Sequence, residues 1–186
     1  MKYDESVFKE KANRRARRIW IIFATLLSAN YGADVANHLR GTSYYLIFLI
    51  LCWLPILAGE ILLRVKGFDT DQYKFNLVIG YVSFYTFVLC TTEYTIGFTY
   101  ILPVTSLLVL YKSVKFMVSC GIVNSLIIIG SAAYRISLGF NSATNMKDYQ
   151  LEVACIILCY ICYVMSIRHL NESDGAMTDS IKADLQ

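Results

Sequence analysis

The 186-residue chain is 56% hydrophobic and only 17% charged, where soluble domains carry roughly 45–50% apolar and about 25% charged residues. The excess lies in long runs, which marks a membrane protein rather than a soluble domain with a large core. The net charge of +3 is small and the basic residues gather near one end, which fits membrane topology and argues against nucleic acid as a partner.

Residues 1–18 are charged and helix-prone, with Lys9, Lys11, Arg14, Arg15, Arg17 and Arg18 standing directly before the first apolar residue, Ile19. A basic flank of this kind marks a cytoplasmic start and suits anionic headgroups. No small-residue cleavage site comes after it, so the first span is expected to remain as an anchor. Span 1 covers residues 19–39. Its second half carries Asn30, Asp34, Asn37 and His38 at i, i+4, i+7 and i+8, which predicts one polar helix face. Polar groups at membrane depth are costly and turn toward a protein interior or a wet cavity. Two roles are open to this stripe. As structure, Asp34 is neutralised by Arg40, Arg135 or a headgroup. As a site, the four residues line a small pocket open to the outside, where His38 registers pH.

Span 2 covers residues 44–63 and contains Pro55, which removes a backbone donor and predicts a bend. Glu60 stands four residues before Arg64 and reads as half of an interfacial ion pair, with a proton or ion site as the alternative. In the polar connection after span 2, Asp69, Thr70 or Asp71 can cap the next helix. Span 3, residues 73–89, is rich in aromatic residues. Span 4 is residues 95–111 with Pro103 near its middle. Span 5, residues 116–138, carries Gly121, Ser125 and Gly130, small residues suited to close helix contact. Residues 138–148 read as the longest outer connection, with Gly139, Asn141, Ser142 and Asn145 as turn residues.

Span 6, residues 149–167, changes abruptly at Arg168 into a polar segment that continues as a helix-like stretch to Gln186. Met177, Ile181 and Leu185 form a narrow apolar stripe on it, as in the first turns of a dimeric coiled coil. A membrane helix that runs into a soluble helix can act as a lever. The polar segment ends with no closing apolar pattern, so the chain reads as the membrane part of something longer.

The resulting expectation is an all-α membrane protein with six transmembrane helices. Its divisions are a basic cytoplasmic segment at 1–18, a six-helix sensor domain at 19–167 and the start of a cytoplasmic signalling helix at 168–186. With six spans, all but three of the 17 Lys and Arg residues fall on the side of the two termini; Arg40, Arg135 and Lys147 fall on the other. The positive-inside rule then makes both ends cytoplasmic and the location the plasma membrane.

No Gly-rich phosphate loop, HExxH or GxSxG motif occurs, and His38 and His169 lie on opposite sides in this topology. The six cysteines, Cys52, Cys90, Cys120, Cys155, Cys159 and Cys162, all sit in apolar runs with no zinc spacing. Neither catalysis, nor a metal, nor a cofactor is expected. The outer connections are too short for a folded ligand domain. A stimulus must then be read within the bundle, from the bilayer itself, or in a small outward pocket. The pocket candidates are Asn30, Asp34, Asn37 and His38, with Glu93, Tyr94, Arg135 and Glu152.

The basic start, the six spans, the run Tyr100-Ile-Leu-Pro-Val104 and the exit His169-Leu-Asn-Glu-Ser-Asp-Gly-Ala-Met177 resemble the N-terminal region of a methyl-accepting chemotaxis protein of a type common in anaerobic Gram-positive bacteria. The resemblance covers the whole chain. It implies a homodimer or larger receptor cluster in the lipid bilayer. It also implies a kinase and a coupling protein as partners, reached only through a C-terminal coiled coil beyond Gln186. The same architecture could feed a diguanylate cyclase or a sensor histidine kinase. A small transporter is the rival of another class, with Asp34, Glu60, Pro55 and Pro103 along its pathway.

Overall fold

The computed structural model describes residues 5–92 and 95–184, and they are helical with no strand among them. The α-helices in chain order are α1 (Glu5–Ala36), α2 (Thr42–Lys66), α3 (Gln72–Thr91), α4 (Ile101–Leu108), α5 (Val114–Ser137) and α6 (Ala143–Asp184). Short 3₁₀ segments, Thr95–Tyr100 and Val109–Tyr111, flank α4. All but α4 are long and apolar enough to cross a membrane. Their outward faces stay open: Ile22 and Leu26 on α1, Leu54 and Ile61 on α2, and Leu126 and Met165 on α5 and α6 are each more than half exposed. In water such continuous apolar surface would drive association; lipid is the solvent that suits it.

The chain divides into two compact units, Met1–Leu107 and Leu108–Gln186. In the first, α1 is one unbroken helix of 32 residues, about 48 Å long. Within its basic start Ala12, Asn13 and Ala16 are buried. The Asn13 amide donates to the carbonyls of Phe68 and Thr70, both at 2.8 Å, and the Arg14 guanidinium lies 4.0 Å from the Phe68 ring centroid. These contacts fasten α1 to the α2–α3 connection. There Asp71 holds the N-cap position of α3 without a side-chain cap hydrogen bond, and the Thr70 hydroxyl before it accepts from the Gln72 N–H at 3.3 Å. Asp71 instead binds Lys9 at 2.8 Å.

Glu60 is not the partner of Arg64. Arg17 of α1 grips it with two donors, the second at 3.0 Å. The antiparallel run of α1 and α2 sets Arg17, in the basic start of α1, beside Glu60, the single acidic residue of α2, and the fork of Arg fits a carboxylate with two parallel bonds.

Helices α2 and α3 touch where side chains are smallest. A Cβ on Gly80 would stand 2.2 Å from Pro55 Cβ, and one on Gly59 would stand 2.8 Å from the Asn76 amide nitrogen. That amide donates to the Pro55 carbonyl at 3.0 Å. Pro55 lies inside continuous α2. The aromatic residues of α3 fill the core beside this contact, with Phe84 edge-on to Phe48, which in turn stacks on Tyr31 at 4.1 Å between centroids.

The fourth apolar segment is shorter than expected as an α-helix. Pro103 has no N–H and its ring crowds the carbonyl four residues back, so no α-helix runs through Thr99 into Pro103. The chain takes 3₁₀ turns as far as Tyr100, and α4 starts with Pro103 in its first turn, where no donor is missed. Freed carbonyls find partners on α3: the Tyr85 hydroxyl donates to Phe98 at 2.8 Å and the Tyr81 hydroxyl to Tyr100.

In the second unit α5 and α6 pack side by side. Ser113 caps α5 by accepting from the Phe116 N–H at 3.3 Å. The connection to α6 is about half the expected length, because helix begins at Ala143 with the Ser142 hydroxyl accepting from the Asn145 N–H at 3.2 Å. From there α6 runs 42 residues through Gly175 to Asp184, about 63 Å.

Candidate functional site

In the first unit α1 stops at Ala36, before the predicted polar face is complete. His38 takes a left-handed backbone, with φ of 57°. The Leu39 N–H reaches back to Asp34 O at 2.8 Å and the His38 N–H to Val35 O at 3.0 Å. This is the Schellman ending of a helix. The turn carries Asn37 and His38 off the helix face and leaves both exposed. The four-residue stripe is therefore half a stripe: only Asn30 and Asp34 belong to α1.

Those two line a cavity of about 200 Å³ with Tyr31, Arg40, Thr92 and Tyr100. Of the three partners open to Asp34, the structure shows Arg40, whose Nε lies 3.0 Å from Asp34 Oδ2. The Arg40 guanidinium sits 4.8 Å from the ring of Tyr31 and 4.9 Å from that of Tyr44. A guanidinium against two aromatic faces is held by ring quadrupoles as well as by the carboxylate. The cavity thus has one wall that is charged but internally neutralised. Thr92, Gly97 and Tyr100 supply the rest of its lining. Such a chamber suits a small polar molecule able to share the Asp34–Arg40 pair. Glu93 and Tyr94 lie outside the described residues.

In the second unit Arg135 and Glu152 come together. Both side chains are almost wholly buried, and Nη1 stands 4.0 Å from Oε1, an ion pair too long for a direct hydrogen bond. Oε1 accepts no hydrogen bond among the described residues. The Arg135 guanidinium also lies 5.3 Å from the Tyr149 ring, whose hydroxyl donates to Phe140 O at 3.0 Å. This knot ties the α5–α6 connection to both helices.

A third cluster sits at the opposite end of α5. Lys112, in a left-handed conformation with φ of 50°, forms an ion pair with Asp174. Its carbonyl accepts from the Asn171 amide at 3.0 Å. The polar continuation of α6 is therefore anchored to the turn that joins α4 to α5. Sequence reasoning did not foresee this contact at Lys112. The signal that could have found the contact is the pair Asn171 and Asp174, which stand three apart and share a helix face.

Asn124 was also missed. It is a lone amide in the apolar middle of α5, buried, with its nitrogen 3.4 Å from the Tyr160 hydroxyl. Tyr31 and Tyr44 went unread as well, because an aromatic residue in an apolar span has no distinguishing pattern.

No protein-family model, no curated protein and no solved structure matches this chain.

Proposed function

We propose that this chain is the membrane-embedded input and transmission region of a sensory receptor, with α6 as the element that carries a conformational change from the bilayer into the cytoplasm. The observation that carries this reading is the continuity of α6. An apolar stretch able to span a bilayer and a mostly polar stretch are one helix, with exposed residues from Arg168 onward. A hydrocarbon core of about 30 Å accounts for only half of its roughly 63 Å. A rigid rod of this kind transmits rotation or piston motion, which a flexible tether would dissipate.

The route into the rod is the anchored turn. Helix α4 leads through Val109–Tyr111 to Lys112, and Lys112 holds α6 at Asn171 and Asp174. The anchor meets α6 just beyond its apolar part. The input is the cavity beside Asp34 and Arg40, and the ligand class is a small polar molecule that competes for one member of the pair.

Six spans with both ends cytoplasmic complete the proposal. The fourth apolar segment supports it through its 3₁₀ turns. At about 2.0 Å rise per 3₁₀ residue against about 1.5 Å for α, the 17 residues of Thr95–Tyr111, laid end to end, reach about 30 Å. The resemblance to methyl-accepting chemotaxis proteins points to kinase control as the output, with a homodimer as the working unit. The carrier reading is less well supported, since Asp34 and Glu60, the acidic residues a carrier would use, are each held by an arginine.

Two experiments test the proposal. Reporter fusions after Gly67, Ser113 and Gly175 should read cytoplasm, and those after Gly41 and Asn141 the outside; a cytoplasmic reading at Asn141 removes the six-span topology. The chain is also fused in helical register, through α6, to the output module of a characterised receptor. One residue inserted after Gly175 rotates the downstream helix by about 100°, and the output should shift strongly and periodically over one to four inserted residues. A flat response to all four makes α6 a tether and ends the lever reading.

A further inference from the structure

Between α5 and α6 runs an open, almost wholly apolar groove of about 450 Å³. Gly121 and Ser125 form its α5 side, Ile157, Tyr160 and Ile161 part of its α6 side, and Arg168 closes one end. A Cβ on Gly121 would stand 3.0 Å from the Tyr160 ring, so the glycine leaves room for that ring to approach α5 closely. From Ile157 to Arg168 the groove follows α6 for about 16 Å. One leaflet of a hydrocarbon core is about 15 Å deep. The groove is one acyl chain long, not one membrane long.

Its charged end is doubly basic. Lys115 precedes the groove residues Val118, Ile122 and Leu126 by three, seven and eleven positions, so it stands on the same face of α5. Arg168 takes the corresponding place on α6. Both are exposed, and neither forms an ion pair among the described residues, whereas nearby Lys112 is paired with Asp174. An apolar channel of leaflet depth that ends in two free cations has the shape and charge of one molecule type.

We propose that this groove binds a single anionic phospholipid, one acyl chain lying along Gly121 and Ser125 and the phosphate held between Lys115 and Arg168. The inference stands apart from the sensory reading, because it uses only α5, α6 and the charge at their common end. It assigns the lipid to the leaflet on the side of Arg168.

The test is lipid retention by the full chain. The protein is reconstituted in vesicles of phosphatidylcholine with a minority of phosphatidylglycerol, extracted in mild detergent and weighed intact by native mass spectrometry. One phosphatidylglycerol per chain should be retained, preferred over phosphatidylcholine by on the order of tenfold or more, given two cations near the headgroup. Lys115→Gln with Arg168→Gln should remove the preference and leave weak retention of either lipid. Ser125→Phe, which fills the groove, should abolish retention of both. Lys147→Gln, an exposed basic residue at the opposite end of α6 and outside the groove, should change nothing. Equal retention of the two lipids by the unaltered chain overturns the proposal. So does a lipid-free dimer that Ser125→Phe dissociates, which would show a second copy in the groove. A preference that survives the Lys115 and Arg168 changes overturns it too.

Discussion

Gly80→Ala adds one methyl group at the tightest point of the α2–α3 contact. The new carbon would stand 2.2 Å from Pro55 Cβ, 2.9 Å from Pro55 Cγ and 3.4 Å from the Trp20 ring. Non-bonded carbons rest at about 3.5–4.0 Å, so the helices must part by roughly 1.3 Å or more. Pro55 cannot yield, because its ring is fixed to the backbone at both ends. Parting by that amount stretches the 3.0 Å bond from the Asn76 amide to the Pro55 carbonyl beyond useful range. Overpacking of this kind costs about 1–3 kcal/mol and the lost bond about 0.5–1.5 kcal/mol. The better helix propensity of Ala returns about 1 kcal/mol, which leaves a net loss of about 0.5–3.5 kcal/mol. Gly130→Ala is the matched control, since no atom lies within 4 Å of its Cβ position and only the propensity gain remains. Thermal unfolding in detergent, followed by tryptophan fluorescence, compares the two, and Trp20 at the contact reports on the first unit directly. Equal midpoints for both variants would show that α2 and α3 do not pack at Pro55 and Gly80, and the reasoning would fail.

Glu152→Gln should destabilise the protein by about 3–5 kcal/mol, because it removes the buried carboxylate that faces the buried Arg135 guanidinium. Adding Arg135→Leu should recover a large part of that loss in the same melt; no recovery would mean the pair is not electrostatically coupled. Asp34→Asn should cost about 1 kcal/mol, since the pair is part exposed and the two tyrosine rings still hold Arg40. A loss as large as that for Glu152→Gln would mean that the rings contribute nothing. The hydrogen bond from Lys9 holds the Asp71 carboxyl below its ordinary value. Its contribution is therefore complete above the ordinary carboxylate range and is lost as pH falls through the lowered folded value. Backbone NMR shifts of the first turns of α1 should track that acid titration in the native chain and lose it in Asp71→Asn.

Helices were legible because apolar runs report them directly. Asp34, Arg135 and Glu152 were legible as residues for a related reason: a charge inside such a run is conspicuous whatever surrounds it. Their partners were less so. Arg40 could be named for Asp34 because it is near in the chain, but Arg17 for Glu60 could not, since that pairing depends on which faces of α1 and α2 meet. The basic start concealed a second kind of information. A cluster of Lys and Arg reads as topology, yet Asn13 and Ala16 within it are packing residues, and only helical phase separates them from the charges. His38 shows the limit of periodicity. The 3.6-residue pattern extends onto any residue beyond the helix, while a left-handed turn ends the helix without a glycine to announce it. Pro103 was visible near the middle of a span, but not as a residue in the first turn of a new helix that follows 3₁₀ turns.

Gly175 is where the lever reading is most exposed to test. It lies in the polar part of α6 with nothing within 4 Å of its Cβ position, so no packing requires a glycine there. Glycine in a helix interior is worse than Ala by about 0.8–1.0 kcal/mol, which makes it the weakest link of the rod. Gly175→Ala should stiffen the segment, and hydrogen exchange of amides 176–184 should slow by up to about fivefold, the factor that about 1 kcal/mol sets. Gly175→Pro should do the opposite. A proline ring there crowds the carbonyl of Asn171, four residues back, and the N–H it lacks is the donor that carbonyl would otherwise receive. Asn171 is also the residue whose amide binds Lys112. The proline therefore frays the rod and strains its anchor together, and exchange should quicken on both sides of the substitution. In a register-matched fusion the alanine should steepen the dependence of output on inserted residues and the proline should flatten it. If amides 176–184 exchange at the rate of an unfolded chain in all three proteins, there is no rod past Gly175 to stiffen or to break.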